Sequence, residues 1–369
     1  MASSISAGTT SSTGLVATAD TTGALVLQTN NGTTAITLDT SQNATFVGYA
    51  NLPNTFGFKN RIINGLMQIA QRATSGTSGS AVPTTAPTYP SVDRWYAYAT
   101  GATVTVARVA GSNANQYNLQ ATGAASVTAI GIGQRIEQSN SYDMAGSTAT
   151  LSVNISNSLL TTVTWTANYA TSADTWSAKT QIATGTFTVT STLTNYNAQI
   201  SIPSAATTGI EILFTVGAQT SGTWVIGNVQ LEKSSIATSF DYISYSAMLA
   251  LCYRYYYKIG AGISNGFNTF GLGYVESSTS AKFIIPFPVS MRIPPTALEQ
   301  SGTAANYAVR YTNVGFQNCS AVPTHDSGTY WTATFDFTVA SGLTGGQAIM
   351  GRTGNSTGTN AYLAWSAEL

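Results

Sequence analysis

The chain has 369 residues, with 14 Lys and Arg against 14 Asp and Glu, so 8% of it is charged, where an ordinary soluble domain carries roughly 25%. A formal net charge of zero leaves no basic excess to grip nucleic acid by counterion release, and charges this sparse exclude a coiled coil. The single histidine, His325, excludes a His-rich zinc site and gives a Ser-His-Asp triad one candidate base, and two cysteines are too few for a disulfide framework.

Hydrophobic residues at 43% and aromatics at 10% do not fit disorder, which goes with low hydrophobicity and high net charge. Polarity is carried instead by Ser, Thr and Asn, and Thr favours strands. These features predict an all-β fold with turn-rich connections. No apolar run reaches the roughly 18 residues of a membrane helix, so no membrane insertion is expected. The start, Met-Ala-Ser-Ser-Ile-Ser, lacks the charged head and apolar run of a signal peptide.

Residues 1–59 hold a loose repeat. Apolar runs at Leu15-Val16, Leu25-Val26-Leu27, Ile36-Thr37-Leu38 and Phe46-Val47 recur about every ten residues between Gly- and Asn-containing turns. A segment this short with so few large apolar side chains cannot bury a core alone. It is either an extended arm or a sheet that copies of the chain complete for one another, and the second is favoured.

Residues 60–245 read as one β-sandwich. Asn60-Arg-Ile-Ile-Asn-Gly opens it, and Val92-Asp-Arg-Trp-Tyr96 follows a Pro/Thr/Gly-rich loop. Alternation at Thr148–Ile155, Thr186–Val189, Ala198–Ile202, Ile210–Val216 and Trp224–Leu231 marks strands with one buried face. Residues 246–369 form a third unit. Met248, Leu251, Cys252, Tyr255 and Tyr256 have helical spacing, which predicts one short helix at the junction. Strands resume at Ala281–Ile285, Thr334–Val339 and Tyr362–Leu369.

The segments Asn60–Arg72 and Ser91–Trp95 resemble the opening of jelly-roll modules in bacteriophage tail-fibre proteins. Ile130-Gly-Ile-Gly-Gln-Arg-Ile-Glu137 is similar to the next strand of that module, and Gly227–Glu232 with Ala237–Phe240 to its closing strand. Ala247–Tyr256 resembles the short helix that follows it. Val289–Pro295 and Ala367-Glu-Leu369 resemble the usual C-terminal unit, and Gly14–Asp20 with Ile36–Asn43 the virion-attachment region. The resemblance implies an all-β protein with an N-terminal trimerising arm (1–59), a carbohydrate-binding-like jelly roll (60–245) and a C-terminal β-sandwich (246–369). It implies a homotrimeric fibre or spike in the virion, held to other virion structural proteins through residues 1–59. Host attachment through a surface glycan would be its work. An architectural head or collar fibre without receptor activity is the alternative, and a glycan-degrading enzyme is less favoured.

Aromatics on one strand face are the candidate ligand contacts. Trp165, Ala167 and Tyr169 share a side at period two, and Trp176 follows after a turn. Such rings fill the sandwich core, which is the favoured reading, or stack on a sugar's apolar face, or meet a neighbouring subunit, and Trp95 is assigned to the core. A glycosidase needs two carboxylates facing across a cleft. Glu137, Asp143, Asp174, Glu211 and Glu232 show no such spacing, so no catalytic residue is assigned and the protein is not expected to be an enzyme. Glu232 is expected to bond backbone or pair with Arg135. His325-Asp326 reads as an exposed turn. No Asp-x-Asp-x-Asp loop supports calcium, so neither metal nor cofactor is expected. Cys252 and Cys319 are expected as free thiols.

Overall fold

The computed structural model describes residues 24–29, 33–40, 44–46, 58–72, 80–82, 87–111, 117–260, 267–311, 315–354 and 361–369. The chain divides into two units, Met1–Gly57 and Phe58–Leu369. In the first, β1 (Leu25–Thr29), β2 (Thr33–Leu38) and β3 (Ala44–Phe46) form an antiparallel meander. Leu25, Val26 and Leu27 are all exposed there, so among the described residues this sheet encloses no core of its own. The expected run at Leu15-Val16 and the resemblance at Gly14–Asp20 lie outside the described residues.

The second unit opens on an irregular segment fixed by two buried asparagines. The Asn60 side-chain oxygen accepts from the Ile62 and Leu231 amides, and its Nδ2 donates to the Val229 carbonyl. Asn64 takes a left-handed backbone (φ 59°), which asparagine tolerates better than most residues, and its Nδ2 donates to the carbonyls of Ile69 and Asp93.

Eleven strands follow: β4 (Ser80–Val82), β5 (Tyr96–Thr100), β6 (Val104–Ala110), β7 (Tyr117–Thr122), β8 (Ala129–Ile136), β9 (Thr148–Asn157), β10 (Thr162–Ser172), β11 (Thr175–Thr188), β12 (Thr194–Ser201), β13 (Ile210–Val216) and β14 (Thr223–Glu232). They make two antiparallel sheets, ordered β11-β10-β13-β8-β5 and β12-β9-β14-β7-β6-β4. Alternate side chains fill the space between them, among them Ile130, Ile132, Leu151, Val153, Ile212, Phe214, Trp224 and Ile226. This is the expected sandwich with a jelly-roll-like arrangement, and Trp95 belongs to its core.

A short helix, α1 (Gln138–Ser141), follows β8, and α2 (Tyr245–Tyr253) follows β14. The Ser244 hydroxyl caps α2 by accepting from the Ala247 amide. The expected helical stripe is only partly helical. Met248 and Cys252 bury on α2, but the chain leaves the helix after Tyr253 and Tyr256 already pairs with Ser366. Spacing alone could not show this, because the partner strand lies a hundred residues downstream.

The remaining strands are β15 (Tyr256–Gly260), β16 (Thr269–Val275), β17 (Ser280–Pro286), β18 (Glu299–Gln300), β19 (Tyr307–Arg310), β20 (Phe316–Asn318), β21 (Thr324–Gly328), β22 (Thr332–Thr338), β23 (Ala348–Thr353) and β24 (Tyr362–Ser366). They form a three-stranded sheet, β15-β24-β18, and a seven-stranded sheet, β20-β19-β23-β16-β17-β22-β21. Phe270, Phe283, Phe335, Phe337 and Trp365 dominate the core of this second sandwich. His325 and Asp326 lie in β21 and not in a turn, because Thr324–Gly328 completes the ladder beside β22 with a bulge between His325 and Ser327.

The two sandwiches join through buried charge. The Arg94 guanidinium pairs with Glu368 and lies 3.5 Å from the Tyr255 ring centre. Arg254 and the Tyr255 hydroxyl both donate to Glu137. Within the second sandwich, Arg292 donates to the carbonyls of Ala367 and Glu368 and so holds the C-terminal segment that carries Glu368. Cys252 and Cys319 are free and buried.

Candidate functional site

The solvent-facing side of the five-stranded sheet is built by a simple alternation. In β8, Ile130 and Ile132 enter the core while Gly131, Gly133 and Arg135 face outward. Gly131 lies opposite Tyr98 and Gly133 opposite Tyr96 on β5. A Cβ at Gly131 would overlap the Tyr98 ring, and one at Gly133 would overlap the Tyr96 hydroxyl. The glycines therefore let both tyrosines lie across the strand. Tyr96 is buried, whereas Tyr98 is half-buried and keeps part of its ring in solvent.

The pairing registers extend these positions into rows across the sheet. One row runs Tyr96, Gly133, Leu213, Thr166, Thr184; the next runs Tyr98, Gly131, Thr215, Thr164, Thr186. A third runs Arg135, Glu211, Asn168, Gln181. The face is thus a band of neutral hydroxyl and amide groups beside an aromatic ring.

Glu211 anchors the third row. Its carboxylate is fully buried and accepts from Arg135 Nε at 3.2 Å, Asn168 Nδ2 at 2.9 Å and Lys179 Nζ. Burial alone would raise its pKa. The Lys179 ammonium, the Tyr96 hydroxyl and the Arg135 charge outweigh that effect and hold it below the ordinary carboxylate range. The group therefore stays ionised and fixes three neighbours. Among the residues of these five strands it is the sole carboxylate.

Trp165 and Tyr169 do share a face, as their spacing predicts, and that face is the inner one. Trp165 is 7% exposed, packs against Phe187 and lies over Gly185. Tyr169 is half-buried against the same core. Trp176 is also half-buried, with the Arg135 guanidinium 5.4 Å from its ring centre, so it borders the Arg135 end of the outward face. Tyr98, Asn168, Gln181, Glu211 and Lys179 were not singled out as ligand contacts from sequence. The signal for Tyr98 was present in Ile-Gly-Ile-Gly opposite Tyr-Ala-Tyr, where the second strand supplies what the first omits.

The other acids serve as ties. Glu232 accepts from the Thr238 amide (2.9 Å) and hydroxyl (2.6 Å), and Arg135 pairs with Glu211 in its place. Asp143 pairs with Arg61, and Asp174 accepts from the Gln138 amide. Asp326 accepts from Thr334 and pairs with Lys282 at 3.0 Å. A second set of exposed aromatics, Tyr330 and Trp331, sits in the turn between β21 and β22.

No family model and no curated protein matches the chain. Solved structures resemble part of it. A CBM4 module aligns over 46% of this chain and 98% of its own, at 16% identity and a TM-score of 0.33. The enzymatically active domain of tailspike protein 4 from bacteriophage CBA120 aligns over 47% of this chain and 21% of its own, at 17% identity and a TM-score of 0.29. A family 11 carbohydrate-binding module from Clostridium thermocellum, solved with a β-1,3-1,4-mixed-linked tetrasaccharide, aligns over 43% of this chain and 98% of its own, at 12% identity and a TM-score of 0.29.

Proposed function

We propose that this chain is a non-enzymatic fibre or spike protein of a bacteriophage particle, and that its jelly roll binds a host-surface glycan on the outward face of the five-stranded sheet. The observation that carries the binding role is the row geometry of that face. Tyr98 offers part of an aromatic ring, and Thr164, Thr166, Gln181 and Thr184 offer neutral hydrogen-bonding groups beside it. A sugar presents an apolar face and several hydroxyls, so ring stacking and neutral hydrogen bonds match its chemistry. Glu211, the one carboxylate within the five strands, is locked by Arg135 and Lys179, and this favours binding without hydrolysis, since a glycosidase needs two facing carboxylates. The virion assignment is supported by the ordered sequence resemblances. Residues 1–59 serve as the attachment arm, and the exposed Leu25, Val26 and Leu27 of the meander favour a homotrimer in which copies cover one another.

The test is adsorption to host cells, together with binding to a panel of surface polysaccharides. Tyr98→Ala and Gln181→Ala should each reduce binding at least tenfold while leaving the melting temperature within a few degrees of wild type. Trp165→Ala, which empties core volume, should cost about 3–5 kcal/mol of stability. Normal adsorption by a folded Tyr98→Ala, Gln181→Ala double variant would place the receptor site elsewhere, and the Tyr330-Trp331 turn would be next to test.

A further inference from the structure

The second sandwich reaches into the charged end of the first sandwich's outward face. Its segment Ala367–Leu369 follows β24, and two groups of that segment converge on Arg135 of β8. The Leu369 carbonyl accepts from Arg135 Nη1 at 2.7 Å and from the Tyr89 hydroxyl at 2.8 Å. The Glu368 carboxylate pairs with Arg94, whose Nη2 donates to the Arg135 backbone carbonyl at 2.6 Å. Arg135 is thus held twice from the other sandwich, its side chain directly and its backbone through Arg94. Arg292 steadies the segment from its own side, donating to the Ala367 and Glu368 carbonyls at 2.7 Å each.

The hold decides what the guanidinium can offer a ligand. Arg135 Nε donates to Glu211 and Nη1 to Leu369, so two of its three nitrogens face acceptors of the protein itself. The rings of Tyr96 and Trp176 lie 5.1 and 5.4 Å from its central carbon. The side chain is 14% exposed, against 37% for Lys179, the other cation on Glu211. An arginine free of such partners presents a planar fork of donors that fits a carboxylate with two hydrogen bonds. Held here, the fork is spent on Glu211 and Leu369. An acidic sugar would have to displace both, whereas the neutral groups of Thr164, Thr166, Thr184 and Gln181 remain along the adjoining rows.

We infer that Glu368 and Leu369 are positioning residues of the outward face: they keep Arg135 turned to the protein, and so make the face select neutral over acidic glycans. Discrimination of this kind comes from a penalty on the wrong ligand as much as from contacts to the right one. It assigns the second sandwich a part in recognition without any contact of its own to the sugar. The selectivity rests on the proposed glycan reading. The hold on Arg135 does not, and the two are measured separately.

The experiment compares the full chain with Glu368→Gln, which weakens the tie through Arg94, and with a chain lacking Leu369, which loses the Nη1 acceptor. Should Glu368→Gln fail to fold for want of a charge opposite the buried Arg94, the shortened chain carries the test alone. Phenylglyoxal, which modifies accessible guanidinium groups, should label Arg135 at least fivefold faster in the shortened chain than in wild type, and to a smaller degree in Glu368→Gln. Arg108, which donates to the Gln68 carbonyl from the opposite sheet, should be labelled at an unchanged rate, and this separates local release from general unfolding. Calorimetry with hexagalacturonate should show the ratio of acidic to neutral glycan affinity rising at least tenfold in the shortened chain, with a salt dependence that wild type lacks. Adding Arg135→Gln should return the ratio to the wild-type level. Equal labelling of Arg135 in wild type and in the folded variants would overturn the inference, because the segment would then not hold the guanidinium. Faster labelling without a change in the affinity ratio would overturn the selectivity. A wild-type chain that bound no polysaccharide would overturn the glycan reading and the selectivity together, while the labelling would still decide whether Glu368 and Leu369 hold Arg135.

Discussion

Asp93 is fully enclosed beneath the junction of the two sandwiches, where its carboxylate accepts from the backbone amide and side chain of Gln71. Burial pushes its pKa up to about 6, against the downward pull of the Gln71 hydrogen bonds and the Arg72 charge. The folded chain therefore holds this proton more tightly than the unfolded chain does. The stability it contributes is complete below the ordinary aspartate range and is lost as pH rises through about 6. Glu137 behaves in the opposite way. Burial would raise it, but hydrogen bonds from Arg254 and Tyr255 hold it low, so its contribution is lost as pH falls through its folded value. Acidification from about pH 7 to about pH 5 should raise the melting temperature through Asp93 before the paired glutamates begin to protonate. Asp93→Asn should flatten that slope in a thermal melt series. An unchanged slope would show that another group governs it.

At the scale of elements, the two glycines of β8 make a sharper pair of variants than any aromatic substitution. A Cβ at Gly131 meets the far end of the Tyr98 ring, which can swing into solvent. A Cβ at Gly133 meets the buried Tyr96 and also lies 2.8 Å from the Ile212 carbonyl oxygen, which cannot move without breaking the ladder. Gly131→Ala should therefore keep the fold and lose glycan binding, whereas Gly133→Ala should cost about 1–3 kcal/mol through overpacking. Denaturant melts beside a binding assay separate the two. The strands themselves were legible where alternation was clean, as at Ile210–Val216 and Trp224–Leu231, because one face is apolar and the other is not. Legibility failed where pairing partners decide the conformation. Tyr255 and Tyr256 fit a helical stripe, yet pairing with β24 draws Tyr256 into a strand. Pro323–Gly328 has the composition of a turn, yet its place beside β22 draws Thr324–Gly328 into a strand. The candidate site was hidden for a related reason. Period two shows that Trp165 and Tyr169 share a face, but which face is interior depends on the sheet that packs against it.

For the whole molecule, a charged fraction of only 8% bears on how it would hold a glycan. The outward face presents Arg135 and Lys179 against Glu211, so little uncompensated charge remains to steer a ligand. Neutral hydrogen bonds exchange almost evenly with those to water and contribute about 0.5–1.5 kcal/mol each. Ring stacking on one half-buried tyrosine adds a similar increment. A single site built this way is weak, and useful attachment has to come from several linked copies acting through effective concentration. Two measurements follow from this. Calorimetry with a soluble oligosaccharide should give an affinity that changes less than about threefold when salt is raised well above the physiological level, since there is little long-range attraction to screen. Surface binding to an immobilised polysaccharide should be about a hundredfold or more tighter than that, and the gain should vanish when assembly is disrupted by deletion of residues 1–59. A steep fall in affinity with salt would mean that the ligand is anionic and is held by Arg135 or Lys179. Surface binding that kept its strength in the disrupted protein would mean that one copy suffices, and that the neutral face described here is not the whole of the receptor site.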